Sequence, residues 1–285
     1  MRNRFALLLL IVATALAGGC QAVQSWGQSL QRPTARVTGA RLDNITLESA
    51  AVNFDVEVTN PYPVALPLVN LKYALAATGG TQPFVSGAAD VQGSVPANAS
   101  KTLTIPAKVV FSQLFQVLEE VKPGSVVPYD ASLTMSVNAP QVGPLDLPLR
   151  HQGQLPVPTV PAVSLAGVQW QGLTAEKADA LVRVNVTNRN QFPFDLAKLS
   201  MNLAVNGSKL VTIEQPQSAH FEPAGQQTLE IPINFSPKSL GLGALSMLRG
   251  QGTQYALSGL FDLNTPFGPM QLPYSTSAQS AGGTQ

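Results

Sequence analysis

The chain has 285 residues, with 17 Lys+Arg against 16 Asp+Glu and a single cysteine. Charge this sparse and balanced (12% charged, net +1) leaves no basic patch to neutralise phosphates, which argues against nucleic acid as a partner, and no charged disordered tail. One cysteine allows no disulfide within the chain, so stability has to come from packed cores, and 23 glycines with 23 prolines point to many turns between short strands.

The N-terminus reads MRNRFALLLLIVATALAGGCQ. Arg2 and Arg4 form a short positive region, residues 5–16 are apolar, and Ala17-Gly18-Gly19 are the small residues a signal peptidase needs. Residues 1–19 therefore read as a secretory signal, too short for a good transmembrane span. Cleavage would leave Cys20 first. ALAGGC resembles the lipobox of bacterial lipoproteins, with Ala17 where the usual apolar residue stands. The resemblance implies an acylated Cys20; an ordinary signal peptide with an incidental cysteine is the plainer alternative. Acylation would anchor the protein to a membrane without spanning it, each buried methylene adding about 0.8 kcal/mol. Gln21 rather than Asp at the second mature position implies, by resemblance to Gram-negative lipoproteins, the outer membrane, with the protein facing the periplasm. Residues 20–36, small and polar, then read as the lipidated N-terminus and tether.

Two segments follow in parallel, 37–155 and 163–276, joined by a proline-rich stiff connector at 156–162 and followed by a flexible tail at 277–285. In the first, Val52, Phe54, Val56 and Val58 alternate with Asn53, Asp55 and Glu57, a half-buried strand with one apolar face. It stops at Asn60-Pro61-Tyr62-Pro63. Leu71, Tyr73 and Leu75 make the next strand, and Gly79-Gly80 a hairpin-type turn. Ile105-Pro106 interrupts a later strand; proline lacks a ladder donor, so that strand should lie at an edge or bulge. Ser112 is a candidate helix cap, with Leu114, Val117, Leu118 and Val121 as the apolar stripe, ended by Lys122-Pro123-Gly124.

The second segment repeats this order. Val182, Val184 and Val186 alternate with Arg183, Asn185 and Thr187 and lead to Asn188. Here Phe192-Pro193 matches Tyr62-Pro63 after a two-residue insertion, and Arg189 replaces Pro61. Met201, Leu203 and Val205 precede an Asn206-Gly207 turn, and Ile231-Pro232 repeats the Ile-Pro pair. Ser236 and Pro237 start a second helix carrying Leu240, Ala244, Met247 and Leu248, weakened by Gly241 and Gly243 at about 1 kcal/mol each. The period is too long for a solenoid and suits two tandem domains. The fold expected is mainly β: two tandem antiparallel β-sandwich domains, each with one short helix.

V-x-V-T-N-P-Y-P-x-x-L-P-L, preceded by an alternating strand, resembles the LEA type 2 family, also called the WHy (water stress and hypersensitive response) domain. The resemblance covers both repeats, with the second departing at Arg189. It implies a compact β-sandwich with one helix and involvement in desiccation, cold or osmotic stress, with no enzymatic activity established for the domain. Bacterial members are commonly exported lipoproteins.

Chemistry-bearing motifs are scarce. His151 and His220 lack metal-ligand spacing and read as structural or exposed, so neither a metal nor a cofactor is expected. Glu119 and Glu120 are adjacent on the first helix and diverge, unlike a catalytic pair. No nucleophile elbow, phosphate loop or dinucleotide pattern occurs. Asn60 and Asn188 read as strand-terminating turns, with Tyr62 and Phe192 plugging the sandwich ends; a ligand contact is the alternative. Three functions stay open: a membrane-anchored stress-protective protein that binds client proteins, a carrier of lipid or another apolar ligand with residues 240–248 as lid, and an envelope scaffold for a protein partner.

Overall fold

The structure, a computed structural model, describes residues 31–140, 142–174, 176–205, 208–236 and 254–279. Cys20, the expected Asn206-Gly207 turn and the expected second helix from Pro237 onward lie outside these residues. Domain 1 comprises β1 (Thr34–Asp43), β2 (Ser49–Asn60), β3 (Leu66–Ala77), β4 (Pro83–Asp90), β5 (Ser94–Val95), β6 (Ala99–Val110), α1 (Phe111–Val117), β7 (Val126–Ala139) and β8 (Gly143–Pro156). Domain 2 comprises β9 (Ala162–Leu173), β10 (Ala178–Thr187), β11 (Phe194–Val205), β12 (Ser208–Phe221), β13 (Gln226–Phe235), β14 (Gln254–Thr265) and β15 (Gly268–Gln279).

Each domain is a sandwich of two antiparallel sheets. In domain 1 the sheets run β1-β2-β6 and β4-β3-β7-β8, with β5 on the start of β3; in domain 2 they run β13-β10-β9 and β12-β11-β14-β15. The alternation read from sequence sets the faces: Val52, Phe54, Val56 and Val58 are fully buried, as are Val182, Val184 and Val186. Leu71, Leu75, Leu133 and Met135 from the opposite sheet fill domain 1, and Leu199, Met201, Leu203 and Phe261 do the same in domain 2. Pro106 and Pro232 lie on β6 and β13, both edge strands, the positions in a sheet that tolerate a residue without a donor. Each copy also carries a bulge at the same place, between Leu68 and Asn70 and between Leu196 and Lys198.

Several expectations change. Ser112 does not cap α1: the first helical N–H, that of Phe111, donates to the Glu48 carbonyl at 2.9 Å, and the capping residue Val110 offers no side-chain bond. The helix also ends at Val117, because Leu118 leaves helical geometry (φ −119°, ψ 80°). Glu119 and Glu120 are thus exposed turn residues beyond the helix. β1 begins at Thr34, inside the expected tether 20–36, and β15 continues to Gln279, inside the expected tail 277–285. Residues 157–161 connect the domains without regular structure, yet Val157 is 1% exposed and exchanges backbone bonds with Gly124 and Ser125 (2.6 and 2.9 Å).

Candidate functional site

Asn60 closes β2 and Asn188 follows β10, and both are 1% exposed. The Asn60 amide nitrogen donates to the carbonyls of Val64 (2.8 Å), Pro96 (2.9 Å) and Val95 (3.1 Å), while its oxygen accepts the Tyr62 N–H at 2.9 Å. Asn188 donates to Phe192 (2.8 Å), Glu222 (3.0 Å) and Phe221 (3.5 Å) and accepts the Asn190 N–H at 2.9 Å. One carboxamide therefore ties a strand end, the turn after it and a strand of the opposite sheet. The role needs two donors and an acceptor on one short side chain, which only asparagine offers. Burial of a polar group is tolerated because every partner is met.

These bonds correct the alignment of the two copies. They run to the second and fourth residues after the asparagine in both, and β3 and β11 both start six residues after it. There is no insertion. Tyr62 stands where Asn190 stands, and Phe192 where Val64 stands, so Tyr62-Pro63 and Phe192-Pro193 are not equivalent. Tyr62 is half-buried against the core, Pro61 is half-buried and Pro63 exposed. Phe192 is buried and meets Phe267 edge-on at 5.4 Å, whereas Val64 is 50% exposed; Pro193 is half-buried.

The second copy uses its turn to hold domain 1. Gln191 donates its backbone N–H to the Gly124 carbonyl at 2.7 Å, and its side-chain oxygen accepts the Val126 N–H at 3.1 Å. Asn190, 3% exposed, accepts the Thr159 N–H (2.8 Å), donates to the Thr159 carbonyl (3.1 Å) and donates to Asn188 (3.1 Å). Gly124 adopts φ +98°, and a Cβ there would lie 2.5 Å from the Arg189 carbonyl oxygen. The asparagine end of domain 2 is thus docked on the helix end of domain 1. Sequence reading took Gly124 only as a helix terminator and missed Asn190 and Gln191. Their signal was the polar run Arg189-Asn190-Gln191 in place of Pro61-Tyr62-Pro63.

A cavity of about 520 Å³ opens at this joint, between β1 and β8 and under the domain 2 tip Pro266-Phe267-Gly268. Tyr129, His151 and Gln154 line it. His151 is half-buried and edge-on to Phe54 at 5.8 Å; burial lowers its pKa, so the ring is a neutral part of the wall. Burial pushes the Tyr129 phenol up to about 12. These are neutral groups, suited to packing and weak polar contact. His220 instead sits on the surface of domain 2, 2.7 Å from Asp195 and 3.2 Å from Glu222, and hydrogen bonding to Asp195 and then Glu222 raises its pKa. Among the described residues no group of three or more His, Cys, Asp or Glu side chains is placed to hold a metal ion.

The geometry defines a tandem β-sandwich protein: two copies of one asparagine-tied unit, set end to end. The family model described as Late embryogenesis abundant protein (LEA_2) matches residues 55–153 and 183–278, one stretch in each domain. The chain belongs to this family. It is similar to the Desiccation protectant protein Lea14 homolog of Glycine max, 26% identical over 132 residues, 46% of this chain and 86% of that protein. It is also similar to Desiccation-related protein PCC27-45 of Craterostigma plantagineum, 28% identical over 131 residues, 46% and 85% respectively. The solution structure of a late embryogenesis abundant protein is 21% identical, covering 53% of this chain and 86% of that one, with a TM-score of 0.39.

Proposed function

We infer that the protein is a non-enzymatic, stress-protective binding lipoprotein of the bacterial cell envelope, acting in desiccation or osmotic stress. The observation that carries this reading is that both domains belong to a family whose members similar to this chain are named as desiccation proteins. Anchoring rests on ALAGGC: an acylated Cys20 holds the protein on the outer membrane, facing the periplasm, where it binds client proteins. The tight cores support a binding surface over an internal carrier site. Phe54, Leu71, Leu75 and Met135 lie between the sheets of domain 1 with at most 1% exposure, which leaves little room there for a lipid chain.

Two measurements test the reading. A strain lacking the gene should survive drying less well, and the purified full chain should preserve a labile enzyme through drying better than an inert protein at equal mass. No difference in either removes the protective function. Intact mass of the membrane-extracted protein, compared with Cys20→Ser, tests the anchor separately.

A further inference from the structure

The two asparagine ends are copies of one surface, and only one of them is covered. In domain 2 the end carrying Phe192 and Phe267 is docked on domain 1. In domain 1 the equivalent positions are Val64 and, in the tip of the β7–β8 hairpin, Val142; they are 50% and 53% exposed. Val69, 48% exposed on the bulge near the start of β3, lies towards the same end, as do exposed Pro63 and half-buried Tyr62 in the turn before β3. Three of the four exposed large apolar side chains among the described residues thus gather at one end of domain 1; the fourth, Leu47, lies in the β1–β2 turn at the other.

The chain itself says what faces this end. β1 starts at Thr34, paired with Thr59 beside Asn60, so the polypeptide enters domain 1 at the apolar end, and Pro33 is buried there. Thirteen residues, 21–33, separate Cys20 from Thr34. Even fully extended, that length reaches about 45 Å, roughly the length of the 14-residue strand β7. An acyl chain on Cys20 therefore holds the apolar end of domain 1 within about 45 Å of lipid, with domain 2 docked at the opposite end of domain 1. Charge at this end is mixed: Arg36 is paired with Glu57 at 2.5 Å, and Lys101 donates to the Ser94 carbonyl at 3.4 Å, while Asp146 meets Ser136 at 2.6 Å. A surface of this kind is held by apolar contact rather than by attraction to anionic headgroups.

We propose that the exposed end of domain 1, formed by Tyr62, Pro63, Val64, Val69 and Val142, is a membrane-contact surface that seats in the headgroup region of the bilayer to which Cys20 is anchored. The proposal rests on the lipoprotein reading. Contact at this end stands the two stacked domains away from the membrane and leaves domain 2 free to meet partners in the aqueous compartment. The anchor keeps local lipid concentration high, so a few apolar side chains suffice where they would not bind from solution.

The test uses the full acylated chain in phosphatidylethanolamine–phosphatidylglycerol vesicles doped with brominated lipid. Val64→Cys, Val142→Cys and Gln82→Cys are labelled separately with an environment-sensitive fluorophore; Gln82 is exposed in the β3–β4 turn at the opposite end. Bromine should quench the labels at 64 and 142 at least twofold and leave the label at 82 unchanged, with little change between low and 0.5 M salt. Equal signals at all three positions, with an acyl mass on Cys20 and flotation with the vesicles, overturn the membrane contact alone. Absence of the acyl mass overturns the lipoprotein reading and this one with it. Self-quenching that grows with protein density, without bromine quenching, assigns the surface to a second copy and likewise overturns the proposal. All three sites are exposed, so the substitutions leave the cores intact.

Discussion

The turn after β2 and the turn after β10 begin with the same buried asparagine and diverge within three residues. In domain 1, Pro61-Tyr62-Pro63 follows, a run with a single backbone N–H, which Asn60 accepts. In domain 2, Arg189-Asn190-Gln191 keeps every N–H and adds two amide side chains, which reach the connector and the 122–126 loop of domain 1. The amide cross-tie was retained by both copies, and the turn it stabilises was spent differently. One became a free end and the other a clasp. A duplicated domain can acquire an interface without touching its core, provided the residues that change lie outside the tie.

Removing the tie should have the largest effect. Asn60→Ala strands three carbonyls and one N–H at a buried site, a loss of about 3 kcal/mol. Asn188→Ala should cost about 1 kcal/mol more, because Asn190 also donates to the Asn188 oxygen and the clasp loosens with it. Hydrogen exchange read by mass spectrometry on each domain distinguishes the two: Asn60→Ala should open domain 1 with the clasp intact, and Asn188→Ala should open both. Equal, clasp-neutral losses would mean that the second tie does nothing beyond its own domain.

The clasp itself is tested at Gly124. Gly124→Ala places a methyl 2.5 Å from the Arg189 carbonyl in a left-handed conformation, and about 2–3 kcal/mol of joint stability should go. Gly79→Ala is the matched control: φ is +78°, but nothing lies within 4 Å of the added carbon, so only the conformational term of about 1 kcal/mol remains. The extra exchange in Gly124→Ala should fall on residues 122–126, 157–161 and 188–193, with the strand cores unchanged.

Much of this was legible in the sequence. Alternation at Val52–Val58 and Val182–Val186 identified half-buried strands with one apolar face, and the Ile-Pro pairs pointed to an edge or a bulge, because side-chain period and a missing donor are local properties. The asparagines were read as turns because a carboxamide can bond backbone two residues on; the donation of the same amide to carbonyls more than thirty residues away was not read. What failed was the pairing of Tyr62-Pro63 with Phe192-Pro193. An aromatic before a proline is a strong mark by eye, but the turn length is fixed by hydrogen bonds to the second and fourth residues, which no residue type announces. The cap on α1 was missed for a similar reason: its partner, the Glu48 carbonyl, is 63 residues away in the chain.

The turn that supplies carbonyls to each asparagine offers a smaller comparison. Asn98 and Ala224 occupy the same place in the two copies, at φ +49° and +58°. Asparagine tolerates this region and alanine does so at a cost of about 1 kcal/mol. Ala224→Asn should therefore raise the unfolding free energy of domain 2 by about 0.5–1 kcal/mol, and Asn98→Ala should lower that of domain 1 by a like amount. Opposite signs from exchanging the two residues would show that the copies share one backbone; a loss from both would show that Ala224 is held by packing.

The smallest effect separates the domains by pH. His220 in domain 2 has its pKa raised by Asp195 and Glu222, so its contribution is fully present below the unfolded value near 6.5 and is lost as pH rises through the folded value. His151 in domain 1 has its pKa lowered by burial, so its contribution is present above that unfolded value and is lost as pH falls through the folded one. Acidification from pH 7.5 to 5.5 should thus loosen domain 1 slightly and tighten domain 2 slightly. His220 is exposed, so its share should fade in 0.5 M salt, whereas the share of His151, set by desolvation, should not. Imidazole titration by NMR, with His151→Gln and His220→Gln to assign the signals, gives both directions at once. A shared direction would break the comparison, because one histidine is part of a wall and the other is held by two carboxylates in open water.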